Sequence, residues 1–327
     1  MTITEQIKHF LRPSNKTFIA VNALMGRFKH PLWVIGAGRS GTTWFCNLMC
    51  SQRKYRFLFE PFNSSHNPEA DFLPRHFYLK PGEPHSRLNH LADKVFHNSY
   101  FPGLDSTNKH KLFVGLLVKD ISANLFAYAL HQAKPEIDLI LIIRNPFAIA
   151  LSRQNKPGWR WFNEPEKFLK QKTLTQDYLE PHKKLILEVS KTGDFIQKQI
   201  LIWSVTHLIP LQQFNNDQLQ IVFYEDLVRN TTSELQRLEA SLRNNGISSQ
   251  TTLTDSVKYQ PSRTTDLSAI DLQKKSPADW QKHISTKQIT RGNMILKQFG
   301  VDCLYDASGN PVIDPSDVLN TIQKKFD

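Results

Sequence analysis

The chain has 327 residues, an apolar fraction of 40% and a formal charge of +11. That length holds one large α/β domain or two small ones with a substantial core. No apolar run reaches the ~18 residues that span a bilayer, and the lysines and arginines are scattered, which argues against a nucleic-acid arm. The positive balance suits an anionic ligand, an acidic polymer or a membrane surface. Three cysteines, two of them one helical turn apart at Cys46 and Cys50, read as packing residues in a reducing compartment.

Residues 1–29 lack the form of a signal peptide and are taken as an N-terminal extension, which sets the expected location as cytoplasmic. The first element is the apolar run Leu32 to Ile35, a buried strand. Gly36, Gly38 and Gly41 follow, then Thr42, Thr43 and a helical apolar pattern at Trp44, Phe45, Leu48 and Met49. Strand, glycine turn and helix form a cradle for phosphate, since loop amides and the helix N-terminus all favour an anion. Gly36 and Gly41 have Walker A spacing, but Thr42 and Thr43 stand where Lys-Ser/Thr is needed, and the cation is Arg39 inside the loop. That arrangement speaks against an ATPase or kinase.

Tyr55 to Glu60 predicts a second strand that ends in a carboxylate and is stopped by Pro61. A carboxylate there lies on the edge where open α/β sheets bind ligands. Residues 63–111 hold many prolines and histidines with little periodicity and read as a long acceptor-side loop segment. The histidines lack metal-ligand spacing, so no metal is expected. Leu112 to Val118 predicts a third strand and Ile121 to Ala133 a helix. Leu139 to Ile143 is a strand buried on both faces, and Phe147 to Gln154 a helix entered through Pro146. Arg144 at the strand end and Ser152 two turns into that helix form a second anion site. Trp159, Arg160, Trp161 and Phe162 are candidates to line an acceptor pocket or simply to pack. His207, on an apolar helix face, reads as a core histidine. Leu219 to Tyr224 is a further strand, followed by helix to about Leu242. Residues 250–276 are polar loop, a helix runs near Ser285 to Phe299, and 306–327 form a tail.

Arg39-Ser40-Gly41-Thr42-Thr43-Trp44 resembles the 5′-phosphosulfate loop of the sulfotransferases that use 3′-phosphoadenosine 5′-phosphosulfate (PAPS). Arg144-Asn145-Pro146 with Ser152 resembles their 3′-phosphate motif, and Tyr224-Glu225-Asp226-Leu227 a segment whose tyrosine reaches the adenine. Arg39 and Glu60 are closest in style to the carbohydrate-type members. The resemblance runs from about Leu32 to Tyr305 and implies an α/β three-layer sandwich with a central parallel sheet of P-loop type, formed as a single domain over 30–305. It implies sulfuryl transfer from PAPS to a hydroxyl or amine of a carbohydrate, small molecule or lipid alcohol. In that reading Arg39 and Glu60 are catalytic. Arg39, Ser40, Gly41, Thr42, Thr43, Trp44, Arg144, Ser152, Tyr224 and Arg263 bind the co-substrate, with Lys274 or Lys275 as alternatives to Arg263. No nucleic acid and no metal are implied, and peripheral membrane contact stays open. A P-loop kinase or NTPase and a non-catalytic binder of anionic nucleotides or glycans stay open as rivals.

Overall fold

A computed structural model describes residues 15–52, 54–97, 99–108, 110–159, 162–242 and 279–326. Arg160, Trp161, Arg263, Lys274 and Lys275 lie outside the described residues. Helix α1 (Asn15–Leu24) precedes strand β1 (Leu32–Gly36), which leads through the glycine turn into α2 (Thr42–Gln52) and then β2 (Arg56–Phe59). Helix α3 (Ser86–Phe96), β3 (Leu116–Lys119), α4 (Ala127–Ala133) and β4 (Asp138–Ile143) follow. After them come α5 (Pro146–Gln154), α6 (Lys183–Thr192), α7 (Phe195–Gln213), β5 (Leu219–Phe223), α8 (Tyr224–Arg229) and α9 (Thr231–Ser241). Two helices close the chain, α10 (Thr286–Gln298) and α11 (Val318–Gln323).

The five strands form one parallel sheet in the order β2-β3-β1-β4-β5. β1 and β4 are buried along their whole length, as their continuous apolar runs require. Two apolar cores cover the two faces, which makes the fold three layers. On one face Phe45, Cys46, Leu48 and Met49 of α2 pack with Leu235 and Leu238 of α9. On the other, larger face lie Phe147 and Ile149 of α5, the buried side of α7, and residues of α3 and α10. The helices that follow neighbouring strands β1 and β4 therefore sit on opposite faces. That opens a crevice at their C-terminal ends, where sheets of this kind bind ligands.

The long segment after β2 is not the featureless loop that its prolines and histidines suggested. It contains α3, whose Leu88, Leu91, Ala92, Val95 and Phe96 are buried at helical spacing. His85 caps this helix, its ring nitrogen accepting from Leu88 N at 3.1 Å. The expected strand from Leu112 starts only at Leu116; Leu112 is exposed, and pairing with β2 and β1 runs on to Lys119. The expected helix from Ile121 starts only at Ala127. The Asp120 carboxylate accepts from Ser122 N at 3.3 Å and Asn124 donates to Thr206 O at 3.0 Å, so these residues spend their polar groups outside a helix. Tyr224 opens α8 instead of ending β5. Helix α1, through Ile19, and helix α11, through Val318, Leu319 and Ile322, both enter the larger core.

The start of β2 is fixed by a buried ion pair. Arg56 donates to Asp105 through Nε at 2.8 Å and Nη2 at 2.7 Å, with both side chains fully buried. Asp105 also accepts from Phe101 N at 2.9 Å. Removing one partner strands a buried charge, so Asp105→Ala should lower the unfolding free energy by about 3–5 kcal/mol. Replacing both partners, Arg56→Met with Asp105→Leu, should recover much of that loss. Urea titrations of the two variants check the pair.

Candidate active site

Strand register assembles the site. Gly36 lies beside Ile142, so the loop after β1 and the arginine after β4 meet at one edge of the sheet. Gly41 has φ +94°, and a Cβ there would meet the Tyr224 ring at 2.3 Å. Only glycine allows this turn and this approach. Arg39 itself has φ +74°, outside the comfortable range of a side-chain-bearing residue. Its Nε donates to Ser152 Oγ at 3.0 Å, and its guanidinium sits 5.7 Å from the Trp159 ring. Arg144 Nη1 donates to the Arg39 carbonyl at 3.0 Å, and its guanidinium lies over the Tyr224 ring at 4.3 Å. Tyr224 meets Trp44 edge to face at 5.9 Å. The loop, Trp44, Arg144, Ser152 and Tyr224, chosen separately from the sequence, thus form one cluster.

Arg153 was not among the residues selected from sequence. It is buried, donates to the Gly38 carbonyl from Nε at 3.2 Å and Nη2 at 2.9 Å, and donates to Gln199 Oε1 at 2.7 Å. Burial, then the charges of Arg39 and Arg75, pulls its guanidinium down to about 10. Its place one residue beyond Ser152 was the available signal. Glu225 was also passed over. It accepts from Asn145 N at 3.0 Å and from Tyr305 OH at 3.1 Å, tying the ends of β4 and β5 to the C-terminal segment. A separate cavity of about 550 Å³ lies beyond Asn145, walled by Phe147, Trp203 and Trp280 and by none of the loop residues.

The other half of the sheet edge carries the carboxylates. Phe59 pairs with Lys119, so Glu60 and Asp120 leave their strands side by side. Glu60 is buried with φ +51°. Its Oε1 takes the Lys119 ammonium, its Oε2 accepts from Asn63 Nδ2 at 2.8 Å, and His66 Nε2 lies 3.6 Å away. Asp120 accepts from Phe62 N at 3.0 Å. Burial, then the nearby Glu60, pushes its carboxyl up to about 7. Burial lowers the Arg75 guanidinium, opposed by Glu60 and Asp120. His207 is a core residue as its helix position implied: it stacks on Trp203 at 4.3 Å, and its Nδ1 contacts Trp203 O at 2.8 Å. Burial lowers it to about 4 and His76 to about 3. Among the described residues no group of three or more His, Cys, Asp or Glu could hold a metal ion. Nor is any described helix long and apolar enough to cross a membrane.

The model of the sulfotransferase domain matches residues 29–299. The chain belongs to the PAPS-dependent sulfotransferase family. It is accordingly an enzyme of sulfuryl transfer. Several solved structures resemble it. A mouse sulfotransferase, SULT7A1, complexed with PAP has 11% identity and a TM-score of 0.41, over 95% of each chain. A sulfotransferase domain from the Synechococcus PCC 7002 olefin synthase has 15% identity and a TM-score of 0.39, over 81% of this chain and 95% of that one. A sulfotransferase from Alicyclobacillus acidocaldarius has 12% identity and a TM-score of 0.37, over 82% and 96%. No curated protein matches the chain.

The buried titrating groups make a signed prediction about stability. A carboxyl raised on folding adds stability below its unfolded value, near 4, and loses it as pH climbs to about 7. His76 and His207, lowered on folding, act the other way: their contribution is present above about 6.5 and is lost as pH falls toward 3 to 4. Asp120→Asn should therefore gain stability relative to the unaltered protein as pH rises from 4 to 7. Urea unfolding at pH 4.5, 6 and 7.5 measures that difference, and a pH-independent difference would refute a raised carboxyl.

Proposed function

We propose that the sulfotransferase acts on the hydroxyl of a carbohydrate, small-molecule or lipid alcohol, with PAPS as donor and Glu60 as the base. The observation that carries this reading is the division of one sheet edge. Arginines and hydroxyls gather over β1, β4 and β5, and two buried carboxylates, Glu60 and Asp120, lie side by side over β2 and β3. The donor set fits a ligand with phosphate at both ends. Arg39 and the hydroxyls of Ser40, Thr42 and Thr43 lie on the loop, and Arg144 and Ser152 on the neighbouring strand and helix. Ser40 Oγ is buried without a hydrogen-bond partner among the described residues. A buried hydroxyl in that state favours a ligand that supplies one.

When bound, PAPS supplies an activated sulfuryl group. In this reading the loop amides, Ser40, Gly41, Thr42 and Thr43 hold the 5′-phosphate, and Arg39 holds the oxygen that leaves. Arg144 and Ser152 hold the 3′-phosphate, Trp44 and Tyr224 hold the adenine, and Glu60 takes the acceptor proton. As the acceptor oxygen bonds to sulfur, the bond to the phosphate oxygen breaks. Charge grows on that oxygen, where a fixed cation is worth most. Residues 30–305 make up the catalytic domain, and the three free cysteines suit a cytoplasmic setting.

Two experiments test these roles. Glu60→Gln should bind 3′-phosphoadenosine 5′-phosphate normally yet turn over ~10²–10⁴ times more slowly, since a base acts only as the acceptor attacks. Arg39→Ala should weaken both binding and turnover, turnover more. Wild-type turnover by Glu60→Gln, in an assay with PAPS and a panel of alcohols, would make Glu60 a structural strand end. Separately, the 3′,5′-bisphosphate should raise the melting temperature more than adenosine 5′-phosphate does. Arg144→Ala should remove most of that difference; equal shifts in the unaltered protein would deny a second anion site.

A further inference from the structure

Arg153 stands near the end of α5, one residue past Ser152, and is buried where Ser152 is only half-buried. All three of its side-chain nitrogens donate within the protein. Nε and Nη2 share the Gly38 carbonyl at 3.2 and 2.9 Å, and Nη1 reaches Gln199 Oε1 at 2.7 Å. Gln199, on α7, is buried and fixed in turn, its Nε2 donating to the Phe162 carbonyl at 2.8 Å. The planar fork of the guanidinium is thus set by two elements, α5 that carries it and α7 that holds its far end. Burial, and after it the charges of Arg39 and Arg75, works against a cation at this position. Its hydrogen bonds offset that cost.

These bonds act on a strained part of the phosphate loop. Arg39 has a left-handed backbone, φ +74°, which a residue with a side chain keeps only when its surroundings impose it. Both peptides that flank its Cα are pinned. The one before is held through the Gly38 carbonyl by Arg153, and the one after through the Arg39 carbonyl by Arg144 at 3.0 Å. Drawing the Gly38 carbonyl in to a buried guanidinium turns the other side of that planar peptide away from the interior. Gly38 is braced from a second direction. A Cβ there would meet the Trp159 ring at 2.3 Å, so the ring lies against the Gly38 backbone.

We propose that Arg153 is a positioning residue of the donor site, with Gln199 as its anchor, and that it holds the Gly38–Arg39 turn in the shape that receives the 5′-phosphate without contacting the nucleotide. The inference rests on the reading of the loop as the 5′-phosphate site given above and adds the group that sets its shape. Its effect falls on the 5′ end of the donor, because the 3′-phosphate belongs to Arg144 and Ser152 in that reading.

Calorimetric titration with adenosine 3′,5′-bisphosphate and with adenosine 3′-phosphate tests this. The ratio of the two Kd values reads what the 5′-phosphate contributes. Arg153→Met keeps the bulk of the side chain and removes its donors. It should shrink that ratio by roughly tenfold or more and leave the Kd of adenosine 3′-phosphate nearly unchanged. Arg153→Lys, a point charge without the fork, should restore part of the ratio. Gln199→Met leaves Arg153 in place without its anchor and should shrink the ratio in the same direction. This variant separates positioning from contact, since a cation that bound the phosphate itself would keep the ratio when released from Gln199. It also decides the matter if Arg153→Met fails to fold. An unchanged ratio in Arg153→Met, equal weakening of both nucleotides, or a ratio that holds or grows in Gln199→Met overturns the proposal. If the unaltered protein does not prefer the bisphosphate, the reading of the loop itself falls.

Discussion

The two hydrogen bonds from Arg153 to the Gly38 carbonyl are the contact on which the rest of the site depends. A loop that binds an anion must present N–H groups to it, and a planar trans peptide points its carbonyl opposite to the next N–H. Drawing the Gly38 carbonyl toward Arg153 therefore sends the Arg39 N–H the other way. Arg144 fixes the next peptide through the Arg39 carbonyl, and the Ser40 N–H of that peptide closes the turn on the Ala37 carbonyl at 3.1 Å. The arrangement has an electrostatic cost. Arg153 is buried close enough to Arg39 and Arg75 for their charges to lower its proton affinity. Its guanidinium remains charged at neutral pH, so the cluster carries an excess of positive charge that an anionic ligand would relieve.

Register does the remaining placement, and it works alike on both flanks. Pairing of Ile143 with Phe223 sets Arg144 level with Tyr224, and the cation lies on the ring. Pairing of Phe59 with Lys119 sets Glu60 level with Asp120, and Lys119 lies on the Phe59 ring. In a parallel sheet all C-terminal ends share an edge, so residues far apart in sequence converge there without long loops to carry them. Arg39 and Ser152 are separated by 113 positions yet share a hydrogen bond.

What the sequence revealed and what it hid follow from the same physics. β1, β4 and the loop between Gly36 and Thr43 were legible because local rules suffice there: continuous apolar runs, glycine at a left-handed turn, threonine opening a helix. Glu60 stood out because Pro61 ended its strand. Helix α3 was hidden because prolines and histidines on both sides of it drew attention away from the spacing of Leu88, Leu91 and Val95. Lys119 carried no local signal, and Arg153 only its place beside Ser152. Each acts through a partner fixed only by tertiary structure, Glu60 in one case and the Gly38 carbonyl in the other. The late start of the helix after Asp120 belongs to the same class, since Asn124 gives its amide to Thr206 on α7.

The packing around Glu60 bears on the role of base proposed for it. Each carboxylate oxygen has two lone-pair sites. Lys119 takes one on Oε1, and Asn63 takes one on Oε2. Those two contacts, from β3 on one side and from the turn after β2 on the other, fix the plane of the carboxylate. One site on each oxygen is left for an acceptor proton or for His66 at 3.6 Å. A base held this way needs no rearrangement of its own when the acceptor arrives, and orientation is worth much of the barrier in such steps. The left-handed backbone at Glu60 fits this account. The Phe62 N–H that follows is bound by Asp120, and Glu60 N is bound by the Lys119 carbonyl at 2.7 Å, so β3 holds the strained turn from both ends. Lys119 and Asp120, adjacent in sequence, thus orient the carboxylate and its backbone respectively, and the end of β3 supports the base proposed at the end of β2.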